Sequence, residues 1–409
     1  EDGKELTMNL IEGAKWSDGD PFDADDVMFY WEDNILDQNV SPLNGGTPET
    51  FGEGTTLEAL DPYTIKWTFQ EAFPTQYKNA FPPEYLNIPV MGAWVPVEYR
   101  PDDIIVMRRN PYYWKVDEQG NQLPYLNEMH YRLSTWADRD VQAVAGSGDF
   151  SNLEQAESYV EALRRSAEDD APARLQFGAR TIGYALRMNL SGNGWGEPDE
   201  REQAVRELNR DLDFRKAISI AVDRQRLGES LVRGPFTAIY PGGLYAGTTY
   251  YDKDSTVYYP HDLEAANALL DGLGLMDTDG NGVRNFPEGT AGGADVEITL
   301  LANTDYGTDT NLAEGVIAMM EPLGLRVIAN FQQGTARDDM AQSGQFDWHV
   351  ERQGAEMVSV VQGTAALAPT GPRTHPFHRA GSDGTLDLLP FEQELVDVVN
   401  AFISTSDNA

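Results

Sequence analysis

The 409-residue chain contains no cysteine. That excludes disulfides, thiolate nucleophiles and cysteine-ligated metal. Histidine is scarce as well, with five in all. Three of them, His130, His261 and His349, are scattered along the chain. The remaining two, His375 and His378, flank Pro376, which prevents a regular helix and so does not force them onto one face. No apolar run approaches the roughly 20 residues that span a membrane, and no basic stretch followed by an apolar one opens the chain. The sequence holds neither a G-x-S-x-G elbow nor a G-x-x-x-x-G-K-[ST] loop, so it carries no signature of serine nucleophile chemistry or of a phosphate cradle. Above all it lacks positive charge. Thirty Lys and Arg stand against 67 Asp and Glu, a net charge of -37. Such a surface repels nucleic acid and anionic lipid. The basic residues are seven lysines and 23 arginines, and an acidic, lysine-poor surface suits saline water, where ions screen its self-repulsion.

What is present describes a globular chain. Apolar residues make up 41%, too many for disorder, and the length suits two or three domains with a full core. The residues Glu5 to Glu12 alternate apolar with polar, which predicts a strand. A turn dense in Gly, Asp and Pro follows at Gly13 to Pro21. Asp23 is placed to cap a helix over Ala24 to Asn34. Further strands are predicted at Thr64–Phe69, Ile104–Arg108, Tyr131–Ser134, Tyr184–Asn189, Val296–Ala302 and Leu325–Phe331. Another ends the stretch Met340–Val350. Helices are predicted at Asp138–Ala145, Asn152–Ala167, Glu264–Leu273, Leu312–Leu323 and Phe391–Phe402. The clearest helix has Phe214, Ala217, Ile218, Ala221 and Val222 at helical spacing behind a cap at Asp211 or Asp213. Alternating strands and helices in the second half predict an α/β domain, and the first half reads as more strand-rich.

Three segments, in this order, carry a resemblance. The first is Glu12-Gly13-Ala14-Lys15-Trp16-Ser17-Asp18-Gly19 with Phe22 to Val27. The second is Arg109-Asn110-Pro111-Tyr112-Tyr113-Trp114. The third is Asp213-Phe214-Arg215-Lys216-Ala217-Ile218 through Arg224. Together they resemble the family 5 extracellular solute-binding proteins of ABC importers, over nearly the whole chain. The segment Lys115 to Leu126 looks like a subgroup associated with sugars. The resemblance implies an α/β, two-lobed periplasmic-binding-protein-like fold (class II, cluster C type) with an interlobe ligand cleft. Residues 1–20 would belong to lobe I, 21–185 to a strand-rich part of lobes I and II, and 186–409 to an α/β lobe with hinge-crossing segments. It also implies a non-enzymatic, monomeric carrier, periplasmic or extracellular and lipid-anchored when full length, which delivers a small polar ligand to a membrane permease. Family members usually extend beyond both ends of this sequence, so the chain is expected to be a fragment. The peptide binders' D-Y-x-D-P-like segment has no match in Phe346-Asp347-Trp348-His349-Val350-Glu351-Arg352. That puts an oligosaccharide first as ligand and a short peptide second. The rival reading is an extracytoplasmic carbohydrate-active hydrolase, which needs two carboxylates about 5–10 Å apart.

Ligand sites on such folds gather where strands end, and aromatic rings suit sugar faces. Eight Trp and 18 Tyr supply candidates, most of them core. By position at or just past strand ends, the expected ligand-binding residues are Phe150, Asn189, Tyr240, Asn303, Trp348 and Glu351. The E-G-x-K-W-S-D-G turn and the Asn-Pro-Tyr-Tyr-Trp run are read as structural corners. No cofactor is expected, apart from a structural calcium ion. The run Asp277-Thr278-Asp279-Gly280-Asn281-Gly282 ending at Glu288 matches a calcium loop, with ligands Asp277, Asp279, Asn281, the Val283 carbonyl and Glu288. Against it stand Pro287 and a Gly-rich flank that leads to a strand rather than a helix.

Overall fold

A computed structural model describes residues 4–37, 54–69, 89–153, 156–177, 182–192, 198–232, 251–255, 257–354, 379–380, 385–386 and 388–404. The chain divides into two compact units, Glu1–Thr135 with Asn400–Ala409, and Trp136–Val399.

The first unit is built from two small antiparallel sheets. Strand β1 (Glu5–Asn9) leads through the Gly13–Pro21 turn to helix α1 (Ala24–Phe29). Asp23 caps α1 in a capping box with Asp26, each side chain accepting from the other's backbone N–H, and Asp25 and Asp26 place negative charge at the positive end of the helix dipole. The helix runs on as a π turn over Tyr30–Ile35. Strands β2 (Thr56–Asp61) and β3 (Thr64–Thr68) complete a sheet of order β1-β3-β2. Its core is Ala24, Trp31, Leu57 and Ile65, with Trp31 edge-on to Trp67 at 5.0 Å between centroids. The second sheet joins β4 (Trp94–Arg100), β5 (Ile104–Arg109) and β6 (Glu128–Arg132) in that order. On β5, Ile104 and Val106 are buried and Ile105 is exposed, the alternation of a strand with one face on a core.

The Trp136–Val399 unit is an α/β layer structure. Helices α2 (Trp136–Ala145) and α3 (Ala156–Ser166) precede strand β7 (Ile182–Met188). Helices α4 (Glu200–Arg210), α5 (Leu212–Ala221), α6 (Arg224–Val232) and α7 (Leu263–Gly272) follow. Then come β8 (Glu297–Asn303), α8 (Gly307–Met320), β9 (Arg326–Gln332), α9 (Gly334–Gln342) and β10 (Trp348–Gly354). A short ribbon, β11 (Arg379–Ala380) with β12 (Thr385–Leu386), precedes the last described helix, α10 (Pro390–Ser404). The four-stranded sheet has the order β7-β10-β8-β9. Strands β10, β8 and β9 run parallel, and β7 is antiparallel to β10. On β8, Ile298, Leu300, Leu301 and Ala302 are fully buried, as expected of a parallel strand covered on both faces. Helix α5 buries Phe214, Ala217, Ile218 and Ala221, and the Asp211 carboxylate caps it by accepting from the Asp213 and Phe214 amides at 2.8 and 3.2 Å.

The boundary between units falls at Thr135/Trp136, upstream of the break at 185–186 expected from sequence. The reason is that α2 and α3 pack together, and α3 packs on α6, within the α/β unit. Strands β2 and β4 and helices α4, α6 and α9 were not expected. Pro96 lies within β4, where a Pro argues against a central strand, but β4 is an edge strand of its sheet.

Candidate functional site

The parallel strands β8, β9 and β10 all end on one side of the sheet, at Asn303, Gln332 and Gly354. The loop leaving β8 is fixed by its own side chains. Asn303 Oδ1 accepts from the Asp305 amide at 2.9 Å, and Asp305 Oδ2 accepts from the Gly334 amide at 3.0 Å. A Cβ on Gly334 would lie 2.6 Å from that carboxylate oxygen, so the close approach requires glycine. This loop sets Tyr306 at the N-cap position of α8.

Around Tyr306 the fold assembles a column of rings and guanidinium groups. Trp136, the first residue of α2, lies 5.0 Å from Tyr306 between ring centroids, tilted by 48°. The guanidinium of Arg139, one turn along α2, covers the Trp136 ring at 3.9 Å. Arg352, near the end of β10, covers Tyr306 at 4.0 Å and lies 5.5 Å from the Tyr184 ring. Tyr184 is opposite Arg352 in the β7–β10 register. Each arginine has a buried carboxylate beside it. Arg352 Nε donates to Asp309 Oδ1 at 3.0 Å, and Arg139 Nη2 lies 3.6 Å from Asp140 Oδ1. Asp309 is 3% exposed and Asp140 fully buried, whereas Trp136, Tyr184, Tyr306 and Arg352 are half-buried. Flat, partly open rings beside fixed N–H donors are what a polyhydroxylated ligand needs, since ring C–H faces stack on them and hydroxyls bond at their edges.

The other face of β10 carries His349 and Glu351. Glu351 pairs with Arg187 of β7, and Arg337 Nη1 of α9 lies 3.3 Å from His349 Nε2. Burial, then the nearby Arg337 and Arg187 charges, push the His349 imidazole down to about 3.

A family model described as "Bacterial extracellular solute-binding proteins, family 5 Middle" matches residues 1–371. The chain belongs to this family. It is 65% identical, over an alignment of 440 residues, to the periplasmic alpha-galactoside-binding protein of Rhizobium meliloti (strain 1021), covering 100% of this chain and 64% of that protein. It is 59% identical to the periplasmic binding protein MelB of Agrobacterium fabrum C58, solved in complex with stachyose. There the TM-score is 0.87, over 100% of this chain and 66% of that one. NikA from Brucella suis, solved with Fe(III)-EDTA, shares the fold at 18% identity, with a TM-score of 0.69 and coverage of 100% and 78%. The chain thus spans 64% and 66% of the first two relatives' lengths.

The two segments read as corners are corners in this family member. Trp16 meets Phe22 edge-on at 5.4 Å, and Ser17 Oγ accepts from the Val90 amide at 3.0 Å. Asn110 is fully buried and donates to the Val90 and Gly92 carbonyls at 3.2 and 2.9 Å. The Lys115–Leu126 segment turns around Asp117, whose carboxylate accepts from Asn121 Nδ2 at 2.9 Å and from the Tyr125 hydroxyl at 2.7 Å. Those two bonds hold it down at about 2.

The residues expected at the site are spread over the unit. Asn303 ends β8, at the loop that sets Tyr306, whereas Glu351 lies mid-strand on β10, on the face opposite Arg352, and pairs with Arg187. Asn189 and Trp348 lie at the opposite end, where β7 finishes and β10 begins. Both are fully buried. Asn189 Nδ2 donates to the Gly344 and Phe346 carbonyls at 3.1 and 2.9 Å, and Trp348 Nε1 donates to Asn209 Oδ1 at 2.9 Å. They are core clamps of the sheet. Phe150 is 90% exposed in the stretch after α2. Tyr240, like His375 and His378, lies outside the described residues. The sequence reading missed Trp136, Tyr184, Tyr306 and Arg352. Tyr306, three residues past β8, follows the Asn-Thr-Asp turn, and that position was the available signal.

The Asp277 loop is a turn closed by its own backbone. Asp277 accepts from the Gly280 and Gly282 amides at 2.7 and 2.9 Å, and Asn281 Oδ1 accepts from Val283 at 2.7 Å. The Gly282 bond comes first in holding the Asp277 carboxyl below its ordinary range. Asn281 Nδ2 reaches Asp279 and Asp295 at 3.1 Å, and Glu288 is exposed. Among the described residues no three His, Asp or Glu side chains group to hold a metal ion. A shallow cleft of about 310 Å³ beside the loop is lined by Asn267, Asp271, Asp277, Arg284 and Leu323. The Arg284 guanidinium is fully engaged there, by Asp271 and Asn267 at 2.7 and 2.8 Å and by the Leu275 and Leu323 carbonyls.

Proposed function

We propose that this protein is an extracytoplasmic carrier that captures an α-galactosyl oligosaccharide and hands it unchanged to an ABC import permease. The observation that carries the reading is the 65% identity to an alpha-galactoside-binding protein over the whole of this chain. The stachyose-bound relative, at 59% identity and TM-score 0.87, supports the same ligand class. The carrier acts by binding alone. Its affinity comes from stacking sugar faces on rings and satisfying each hydroxyl as water is removed, because an unpaired buried polar group costs about 1–3 kcal/mol. The column of Trp136, Tyr306, Arg352 and Arg139 is the part of the Trp136–Val399 unit best suited to that work.

Thermal shift tests the reading. A ligand that binds only the folded state stabilises it in proportion to the logarithm of its concentration, about 2.7 kcal/mol at one hundred times Kd. Stachyose is expected to raise the melting temperature in this manner, while a tripeptide leaves it unchanged. A tripeptide that stabilises while stachyose does not would overturn the choice of ligand. Release of free galactose from stachyose would overturn the choice of a carrier over a hydrolase.

A further inference from the structure

The ring column has an electrical feature that sugar stacking alone does not require. Both arginines that cover its rings lie against carboxylates buried in the fold, Arg352 against Asp309 at 3.0 Å and Arg139 against Asp140 at 3.6 Å. The Asp309 side chain is 4% exposed and that of Asp140 0%. A buried ion pair adds little net stability over an apolar pair of the same shape, so its presence calls for another explanation. An arginine alone on a half-open ring would draw in any anion, and a guanidinium matches a carboxylate in geometry as well as charge. With a fixed carboxylate 3.0 Å away, as at Arg352, or 3.6 Å away, as at Arg139, the same guanidinium offers little net field. An anionic group approaching it meets both charges at similar range, and the attraction and repulsion largely cancel.

We propose that Asp309 and Asp140 are specificity-determining residues: they keep the arginine-covered ring column electrically neutral, so that it accepts uncharged glycosyl residues and rejects sugars bearing carboxylates. The inference rests on the reading that the ligand is an oligosaccharide, and it adds which sugars are refused. It accounts for why arginine rather than lysine stands over both rings: a planar guanidinium can stack on a ring while its edge faces a carboxylate.

The test compares stachyose with an α-linked trigalacturonate and with its methyl ester, by isothermal titration calorimetry on the wild-type chain and on Asp309→Asn and Asp140→Asn. Wild type is expected to bind stachyose, and to bind the neutral ester at least tenfold more tightly than the free acid. Either Asn variant is expected to bind the free acid at least tenfold more tightly than wild type does, and to lose this gain at high salt. Circular dichroism and a cooperative melt establish that a variant is folded. A folded variant with no gain for the free acid overturns the inference, as does a wild type that binds the ester no better than the acid. The ester comparison decides the matter even where a variant fails to fold. Failure of wild type to bind stachyose would count against the carrier reading, and it is recorded separately from the acid-to-ester ratio.

Discussion

His349 gives the sharpest stability prediction. Its imidazole is 3% exposed on β10, with Arg337 Nη1 at 3.3 Å. Burial and the Arg337 and Arg187 charges lower it from 6.5 to about 3. The folded protein therefore holds a neutral ring across the range in which the unfolded chain takes up a proton. A depressed folded value for a histidine means that its contribution is complete above about pH 6.5 and is lost as pH falls from there towards 3. Each pH unit inside that window costs about 1.4 kcal/mol. Going from pH 7 to pH 5 crosses roughly one and a half such units, or about 2 kcal/mol from this one side chain. The assay is urea denaturation at the two pH values for wild type and His349→Gln, which keeps an acceptor for Arg337. The variant is expected to be less stable at pH 7 by about 1–3 kcal/mol, because the ring is packed. Its loss between pH 7 and pH 5 should be smaller than that of wild type by about 2 kcal/mol. Equal losses in the two proteins would refute the claim that a buried neutral imidazole sets this slope.

Three further outcomes are expected. Trp136→Ala and Tyr306→Ala should each weaken stachyose binding by about 10- to 100-fold, the loss of one stacked ring, with little change in melting temperature because both side chains are half-buried; titration calorimetry reads the first and a thermal melt the second. Phe214→Ala, at a fully buried position against Trp348, should cost about 3–5 kcal/mol in a denaturant titration. Calcium added to millimolar concentration should give no binding heat, since the Asp277 turn is already closed by backbone donors and its Glu288 is not gathered with it.

Much of the fold is legible where local chemistry and tertiary structure agree. The cap at Asp211, the helical spacing of Phe214, Ala217, Ile218 and Ala221, and the apolar run of β8 all state their roles locally. The misses arise where pairing partners decide. Strand β4 contains a proline that only its edge position permits, and β6, the polar run E-M-H-Y-R, starts three residues before the predicted Tyr131 because pairing with β5 sets its bounds. The candidate site was legible only in part, for one geometrical reason. Position at a strand end can be read from sequence, but strand direction cannot. Asn189 and Trp348 satisfy the same positional rule as Asn303, yet the antiparallel β7 and the start of β10 put them at the far end of the sheet, inside the core. The ring column itself draws on α2, β7, β10 and the N-cap of α8, elements separated by tens to hundreds of residues. No spacing rule connects Trp136 with Tyr306, or Arg352 with Asp309.

Capture without chemical change is tested most directly by titrating purified protein with stachyose in a calorimeter and then analysing the sugar recovered from the cell by chromatography. The account predicts a saturable one-to-one isotherm and intact tetrasaccharide at full recovery. A flat titration, or galactose among the recovered sugars, would contradict it.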